Sequence, residues 1–296
     1  MAALDPAIVA DALLSSCLEE LDAPKPGNVH KFRSGHAMDW RDFEVSARVI
    51  APVLTDLAIP IGVRIYRAVE ATLAETKCNT NLGIVLLAAP LAEAALLPAK
   101  GSLRIRVNRV LSSLTMEDSQ AVFDAIALAS PGGLGQRTDH DVRRPATITL
   151  IQAMQIAAPD DYVARQYATG FDDILGFGLR RVRYANRRWP QCPWAQALWT
   201  YLGFLARKPD SHVRRKYGQA GVSTAMALGK KLERAMRGAD QPAYLLPDLL
   251  AADDFLKSRN INPGTSADMT VGSLLGARLT DIMRARKTKL VKTPRF

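Results

Sequence analysis

Between two amphipathic stretches the chain reads Lys25-Pro26-Gly27-Asn28-Val29-His30, and then Ser34-Gly35-His36-Ala37-Met38-Asp39. A lysine can neutralise phosphate, a histidine can carry a proton near neutral pH, and a carboxylate can take a proton or hold a metal. Connections between packed helices are usually short and built of generic turn residues, so this concentration of chemistry reads as an active-site loop. Pro26-Gly27 imposes a tight turn, and Gly27, without a Cβ, lets a ligand approach the backbone. An ordinary polar loop with incidental histidines accounts for this one segment equally well.

Three more segments place polar, small or glycine residues at the mouth of a helix. Cys78-Asn79-Thr80-Asn81-Leu82-Gly83 precedes the most apolar stretch of the chain. A helix start offers unpaired N–H groups and the positive end of a dipole, which suits an anion, although Asn79 or Asn81 could simply cap the helix. Asn262-Pro263-Gly264-Thr265-Ser266-Ala267-Asp268 opens the last long helix, with Thr265 or Ser266 as cap and Asp268 in the first turn. Asp210-Ser211-His212-Val213-Arg214-Arg215-Lys216-Tyr217-Gly218 begins with a capping aspartate and then puts three cations where they oppose the helix dipole. Cations there call for an anionic partner or a purely solvated face. Asp139-His140-Asp141 has the look of a metal-binding fragment, but only His30, His36 and His212 remain to complete a metal-dependent phosphohydrolase. There is no Walker A pattern, no GxGxxG after a strand and no nucleophile elbow. Trp189, Trp194 and Trp199 read as core or interface.

The elements that must position these segments are helical. Apolar residues recur at helical spacing nearly everywhere and strictly alternating β-branched runs are missing, so the expected fold is all-α: one multi-helix domain of ten or more helices around a buried apolar central helix. Helices are expected over Pro6–Leu21 after the Asp5 cap, from Asp39 with a kink or early end at Pro52, from Pro60 to Thr76, and from Thr80 to Leu97. Further helices are expected over Leu103–Leu111, Met116–Ala129, Ala146–Ala157, Asp160–Asn186, Trp194–Ala206, Ser211–Arg237, Ala243–Lys257 and Ser266–Arg284. The Thr80–Leu97 stretch, apolar all round, is the expected buried one. The glycine-rich, charged span from Ser130 to Pro145 is a long loop of the kind that is functional or mobile. The domain is expected over residues 1–285, followed by a basic, frayed tail over 286–296.

Composition sets outer bounds. The 296 residues carry 48% hydrophobic side chains, enough for a substantial core. No apolar run reaches the roughly 18 uncharged residues that span a bilayer, and the N-terminus lacks a signal peptide's basic region, so a soluble cytoplasmic protein is expected. Three scattered cysteines make no disulfide framework or zinc site. The net charge of +10 favours polyanions, nucleic acid or a phosphorylated small molecule. Aromatics at 6% are few for stacking platforms, and no nucleic-acid-binding motif is visible, which argues against nucleic acid.

Taken together the four segments resemble the triphosphoribosyl-dephospho-CoA synthase family. Lys25-Pro26-Gly27 with Gly35-His36 and Met38 is similar to that family's KPG…G-H-D-M signature, and Asn79-Thr80 with Gly83 to its V-N-T-H-K-G segment. Asp210-Ser211 with Lys216 and Gly218 is similar to D-T-N…R-G-G, and Pro263-Gly264 with Ser266-Ala267-Asp268 to S-P-G-G-S-A-D. The resemblance implies an all-α enzyme that breaks the adenine–ribose bond of ATP. The 5-triphosphoribosyl group then passes to the ribose 2′-hydroxyl of 3′-dephospho-CoA. Such glycosyl transfer needs a carboxylate for the developing charge or the acceptor proton, and a donor for the leaving base. Asp39, Glu70 and Asp268 are the candidate carboxylates, catalytic or holding Mg²⁺ against the triphosphate, and His30 and His36 the candidate donors. Lys25, Arg64 and Lys216 are expected to bind phosphates. Gly27, Asn28, Asn79, Thr80, Asn81, Gly83, Asp210, Ser211, Gly264, Thr265 and Ser266 are expected to complete the nucleotide site.

The chain departs from the family pattern in four places. Asn81-Leu82 stands where His-Lys is usual, His212 replaces asparagine, Tyr217 replaces a glycine, and His30 stands at a common aspartate. These point to a diverged member, and leave open an ATP-dependent enzyme of another cofactor pathway, such as a pterin-linked one-carbon cofactor. A non-catalytic or RNA-binding helical protein is the alternative of a different class.

Overall fold

Side-chain caps fix where most helices begin. In a computed structural model, which describes residues 3–130 and 139–292, Asp5 accepts from the Ala7 amide and Pro6 fills the first position of α1 (Pro6–Asp22). Asp39 and Asp42 form a capping box on α2 (Trp40–Leu54). α3 (Ile61–Thr76) and α4 (Leu82–Leu96) follow, then α5 (Leu103–Ser112) capped by Ser102. Capping boxes from Thr115 and Thr149 start α6 (Met116–Ala129) and α7 (Leu150–Ala157), and Asp161 caps α8 (Tyr162–Ala168). The rest of the chain forms α9 (Leu179–Arg188), α10 (Ala195–Arg207), α11 (Ser211–Gly238), α12 (Leu246–Lys257) and α13 (Gly264–Lys292). Among the described residues the fold is all-α, with no β-strand.

Four expectations need correction. The helix expected over Asp160–Asn186 breaks after α8, where Gly170 and Phe171 both have positive φ, and resumes as a π-helical turn over Asp173–Gly178. A Cβ at Gly178 would stand 2.7 Å from Ser273 Cβ, so this segment lies hard against α13. The long α11 is kinked at Gly218, whose φ of 59° and ψ of −156° are not helical. Pro52 does not end α2, because it falls in the last turn where the chain is about to leave the helix. The last helix starts at Gly264 and its backbone runs to Lys292, past the expected end at Arg284. Of the basic tail, residues 293–296 lie outside the described residues, as do residues 131–138 of the Ser130–Pro145 loop.

Burial follows the hydropathy. Nearly every residue of α4 from Ile84 to Leu96 is buried, against α1, α2, α3, α5, α8 and α13. One apolar cluster gathers α1 to α8 with one face of α13, through Met269, Leu275 and Leu279; a second gathers α9 to α12 with Leu274 and Ala277 on its other face. The starts of α4, α11 and α13 open beside the α1–α2 loop, and there the polar segments meet.

Candidate active site

The α1–α2 loop is held from behind, not by the ligand side. Gly27 has φ of 82°, and its amide donates to Asp253 Oδ1 at 2.8 Å. A Cβ there would stand 2.9 Å from the Ile261 carbonyl, so both the turn and the close approach require glycine. The Tyr201 hydroxyl donates to the Pro26 carbonyl at 2.7 Å, and Asn28 Nδ2 to Asn262 Oδ1 at 2.8 Å. These bonds tie the loop to α10, α12 and the segment before α13.

The other three mouths are fastened to one another. Asp210 caps α11 by accepting from the His212 and Val213 amides, while its other oxygen accepts from Ser266 N and Oγ, each at 2.8 Å. The His212 amide also reaches Thr265 Oγ1, so the starts of α11 and α13 are one unit. Asn79 Oδ1 accepts from the Leu82 amide and its Nδ2 donates to Ala129, which caps α4 and ties it to the end of α6. Across the gap, Thr80 is hydrogen-bonded to Ser46 of α2.

Between these units opens a pocket of about 440 Å³. Its polar side carries Asn28, His36, Asn79, Thr80, Asn81, Gly83, Lys216, Gly264, Thr265 and Asp268 from the four segments, with Glu20, His212 and Arg215. Facing them is an apolar wall from α6, α7 and α8, including Phe123, Leu150, Met154 and Val163. Asp139, His140 and Asp141 from the described part of the Ser130–Pro145 loop stand at its edge.

Charge in the pocket is sorted. The Asp268 carboxyl has no hydrogen-bond or ion-pair partner among the described residues and packs on the Gly83 backbone. Burial, then the negative charges of Asp210, Glu20 and Asp161, raise its pKa well above the carboxylate range. On the other side, Arg215 pairs with Asp161 at 2.7 Å and Arg214 with Asp160 at 3.5 Å, while exposed Lys216 has no such partner among the described residues. The expected anionic partner of these cations is therefore met for two of three, and one charge is left facing the pocket. Burial pushes the His212 ring down to about 4, helped by Lys216 and Arg215, so it is neutral at pH 7. His36 is also lowered by burial; its Nε2 lies 2.8 Å from the Gly27 carbonyl, which can only accept, so Nε2 carries the proton and Nδ1 is the free ring atom.

Several expected site residues lie elsewhere. Asp39 is the α2 cap, bonded to Ser34 and the Arg41 amide, and does not line the pocket. Glu70 is exposed on α3. Arg64 is buried on Glu93 and the Leu54 carbonyl, a structural ion pair with no phosphate to meet. Lys25, fully buried, contacts Glu20 and Asn28 and presents nothing to the pocket surface. His30 is fully buried, 3.4 Å from Asp253 Oδ2, so it cannot donate to a ligand. Gly27, Asp210, Ser211 and Ser266 support the pocket from behind, Ser211 by accepting from the Tyr162 amide. The Asp39, Glu70 and Asp268 trio does not meet, and no group of three metal-ligating side chains converges among the described residues. Of the three, Asp268 alone lines the pocket.

The sequence reading passed over Glu20 and the whole apolar wall. Glu20 had left a signal: it falls on the buried stripe of α1 with Leu13, Cys17 and Leu21, where a charge is out of place.

The family model described as ATP:dephospho-CoA triphosphoribosyl transferase (CitG) matches residues 6–287. Among solved structures, the chain is similar to a crystal structure from Archaeoglobus fulgidus with a provisional assignment as triphosphoribosyl-dephospho-CoA synthase. The TM-score is 0.59 and the identity 24%, over 78% of this chain and 96% of that one, a likeness that bears on the fold. No curated protein matches.

Proposed function

The chain belongs to the ATP:dephospho-CoA triphosphoribosyl transferase family, and we propose that the pocket at the starts of α4, α11 and α13 is where the adenine–ribose bond of ATP breaks and the triphosphoribosyl group passes to dephospho-CoA. The observation that carries this reading is Asp268, a half-buried carboxyl that has no partner among the described residues and lines the pocket. Such a group holds its proton to higher pH than a solvated carboxyl does and can give it to a leaving base, which adenine needs because its anion leaves poorly. The apolar wall from Phe123 to Val163 offers a face for the purine. Lys216 and the amides at the start of α4 are placed for the triphosphate. His36, neutral with Nδ1 free, is a hydrogen-bond acceptor toward the ligand and not the proton donor its sequence position suggested.

Incubation with ATP, Mg²⁺ and dephospho-CoA is expected to free adenine, detected by chromatography, with no ADP or AMP. Release of ADP or AMP in place of adenine overturns the reading. If Lys216 meets the triphosphate, Lys216→Ala should raise KM for ATP about tenfold, the order of one charge-assisted hydrogen bond. The change in kcat should be smaller, because the contact exists in ground and transition states alike. An unchanged KM would place the triphosphate elsewhere.

A further inference from the structure

The transfer reaction also needs a group to take the proton of the acceptor hydroxyl, and the pocket holds a second carboxyl that nothing above has used. Glu20 reaches the pocket from the third-last position of α1 and is only 4% exposed. One of its oxygens, Oε1, is in contact with Lys25 Nζ, and Oε2 has no partner among the described residues. Lys25 is 0% exposed and has one other bond, to Asn28 Oδ1 at 3.1 Å. Asn28 is fixed in turn by Asn262, and both asparagines line the pocket. The ammonium is thus locked behind the pocket wall, with Glu20 as its only counter-charge in contact among the described residues.

Burying an ion pair is costly, and an apolar pair of the same volume would pack the end of α1 at least as well. The arrangement makes sense if the charge is used. We propose that Glu20 is a second catalytic residue, whose carboxylate takes the proton of the acceptor hydroxyl, and that Lys25 is the positioning residue that holds it ionised and in place. This rests on the transfer reading above. In the step, the acceptor oxygen forms its bond to ribose C1′ as its proton passes to Glu20 Oε2. The C1′–N bond breaks, its electron pair stays on adenine, and Asp268 supplies the proton that neutralises the leaving base. Proton exchange with water afterwards returns Glu20 to carboxylate and Asp268 to acid, so no oxidant or further reactant is needed.

The titratable groups facing Glu20 are Lys25, Cys17 on its own helix, Tyr201 of α10 and Asp268 of α13. Burial raises the Glu20 pKa and lowers that of Lys25, and the contact between the two opposes both shifts. The pH profile of kcat should therefore have an acid limb set by Glu20 and an alkaline limb set by Asp268.

Glu20→Gln is expected to slow triphosphoribosyl transfer about a hundredfold, with KM for ATP within threefold of the wild type, and to remove the acid limb. Glu20→Asp should restore part of the rate and the limb. Lys25→Met should move the acid limb to higher pH. Where Glu20→Gln fails to fold because Lys25 is left alone, the Glu20→Gln/Lys25→Met double variant removes both charges and reads the same loss. Transfer within threefold of wild type in a folded Glu20 variant, or a loss of rate that leaves the acid limb in place, overturns the proposal. A wild-type protein that frees no adenine from ATP overturns the transfer reaction itself. Adenine from the wild type with an equally active Glu20→Gln removes only the role of Glu20.

Discussion

Asp268→Asn is expected to cut adenine release about a thousandfold, within the range that a general acid contributes, while leaving the protein at least as stable as the wild type. Both halves follow from the same placement. The carboxyl lies beside Asp210, Glu20 and Asp161 and has no partner among the described residues, so an amide of the same shape breaks no bond and spares the fold the cost of ionising that group as pH rises. The amide cannot give a proton to adenine. Linkage adds a sign that can be checked. The folded protein binds the Asp268 proton up to a higher pH than the unfolded chain does, so wild-type stability falls as pH rises from the ordinary carboxylate range through the raised value. Asp268→Asn should lack that part of the slope and its alkaline limb in kcat. Thermal melts across pH and single-turnover adenine release measure the two. A variant that melts earlier than wild type at neutral pH, or that keeps its alkaline limb, would show that the carboxylate is ionised and structural.

How far the sequence alone reaches depends on what each residue does in the fold. The helix mouths are legible because capping and turn chemistry are local: Asp210, Asn79 and the Gly264-Thr265-Ser266 run act within a few residues of themselves. That they bring Asn79, Lys216, His36 and Asp268 to one pocket is a tertiary fact, which their shared construction hinted at. Orientation was the weak point. Glu70 and Arg64 sit on the same helix, one exposed and the other buried on Glu93, and nothing local tells a catalytic charge from a solvated or structural one. Lys25 shows the limit from the other direction. Its place in a tight turn suggested phosphate, yet a glutamate five residues earlier, across the end of α1, takes it as partner. The apolar wall was invisible because Phe123, Leu150 and Met154 have the spacing of ordinary core residues, and only the gap opposite them makes them a wall. In the middle of the chain, Gly170-Phe171 overrode an otherwise helical pattern, which periodicity alone does not detect.

The second large effect is expected from a glycine that has no side chain to contribute. A Cβ at Gly83 would stand 2.6 Å from Asp268 Cγ and 3.2 Å from Asp268 Cβ, so Gly83→Ala forces the carboxyl off the start of α4. The neighbour that must give way is a side chain at the pocket surface, so the backbone of α4 and α13 can stay where it is. Alanine in a helix is favoured over glycine by about 0.5–1 kcal/mol, which offsets some of the cost of moving Asp268. The variant should therefore melt within about 3 °C of wild type. Catalysis has no such compensation, since misplacing a reacting group by about 1 Å can cost on the order of a hundredfold. Gly83→Ala is expected to lose about that much in adenine release, with KM for ATP little changed. If the loss comes through Asp268, the Gly83→Ala/Asp268→Asn double variant will be no slower than Asp268→Asn alone, because the second change acts on a group already disabled. Losses that multiply would mean that Gly83 serves the ligand directly, by letting a phosphate approach the first turn of α4, and that Asp268 and the anion site act apart.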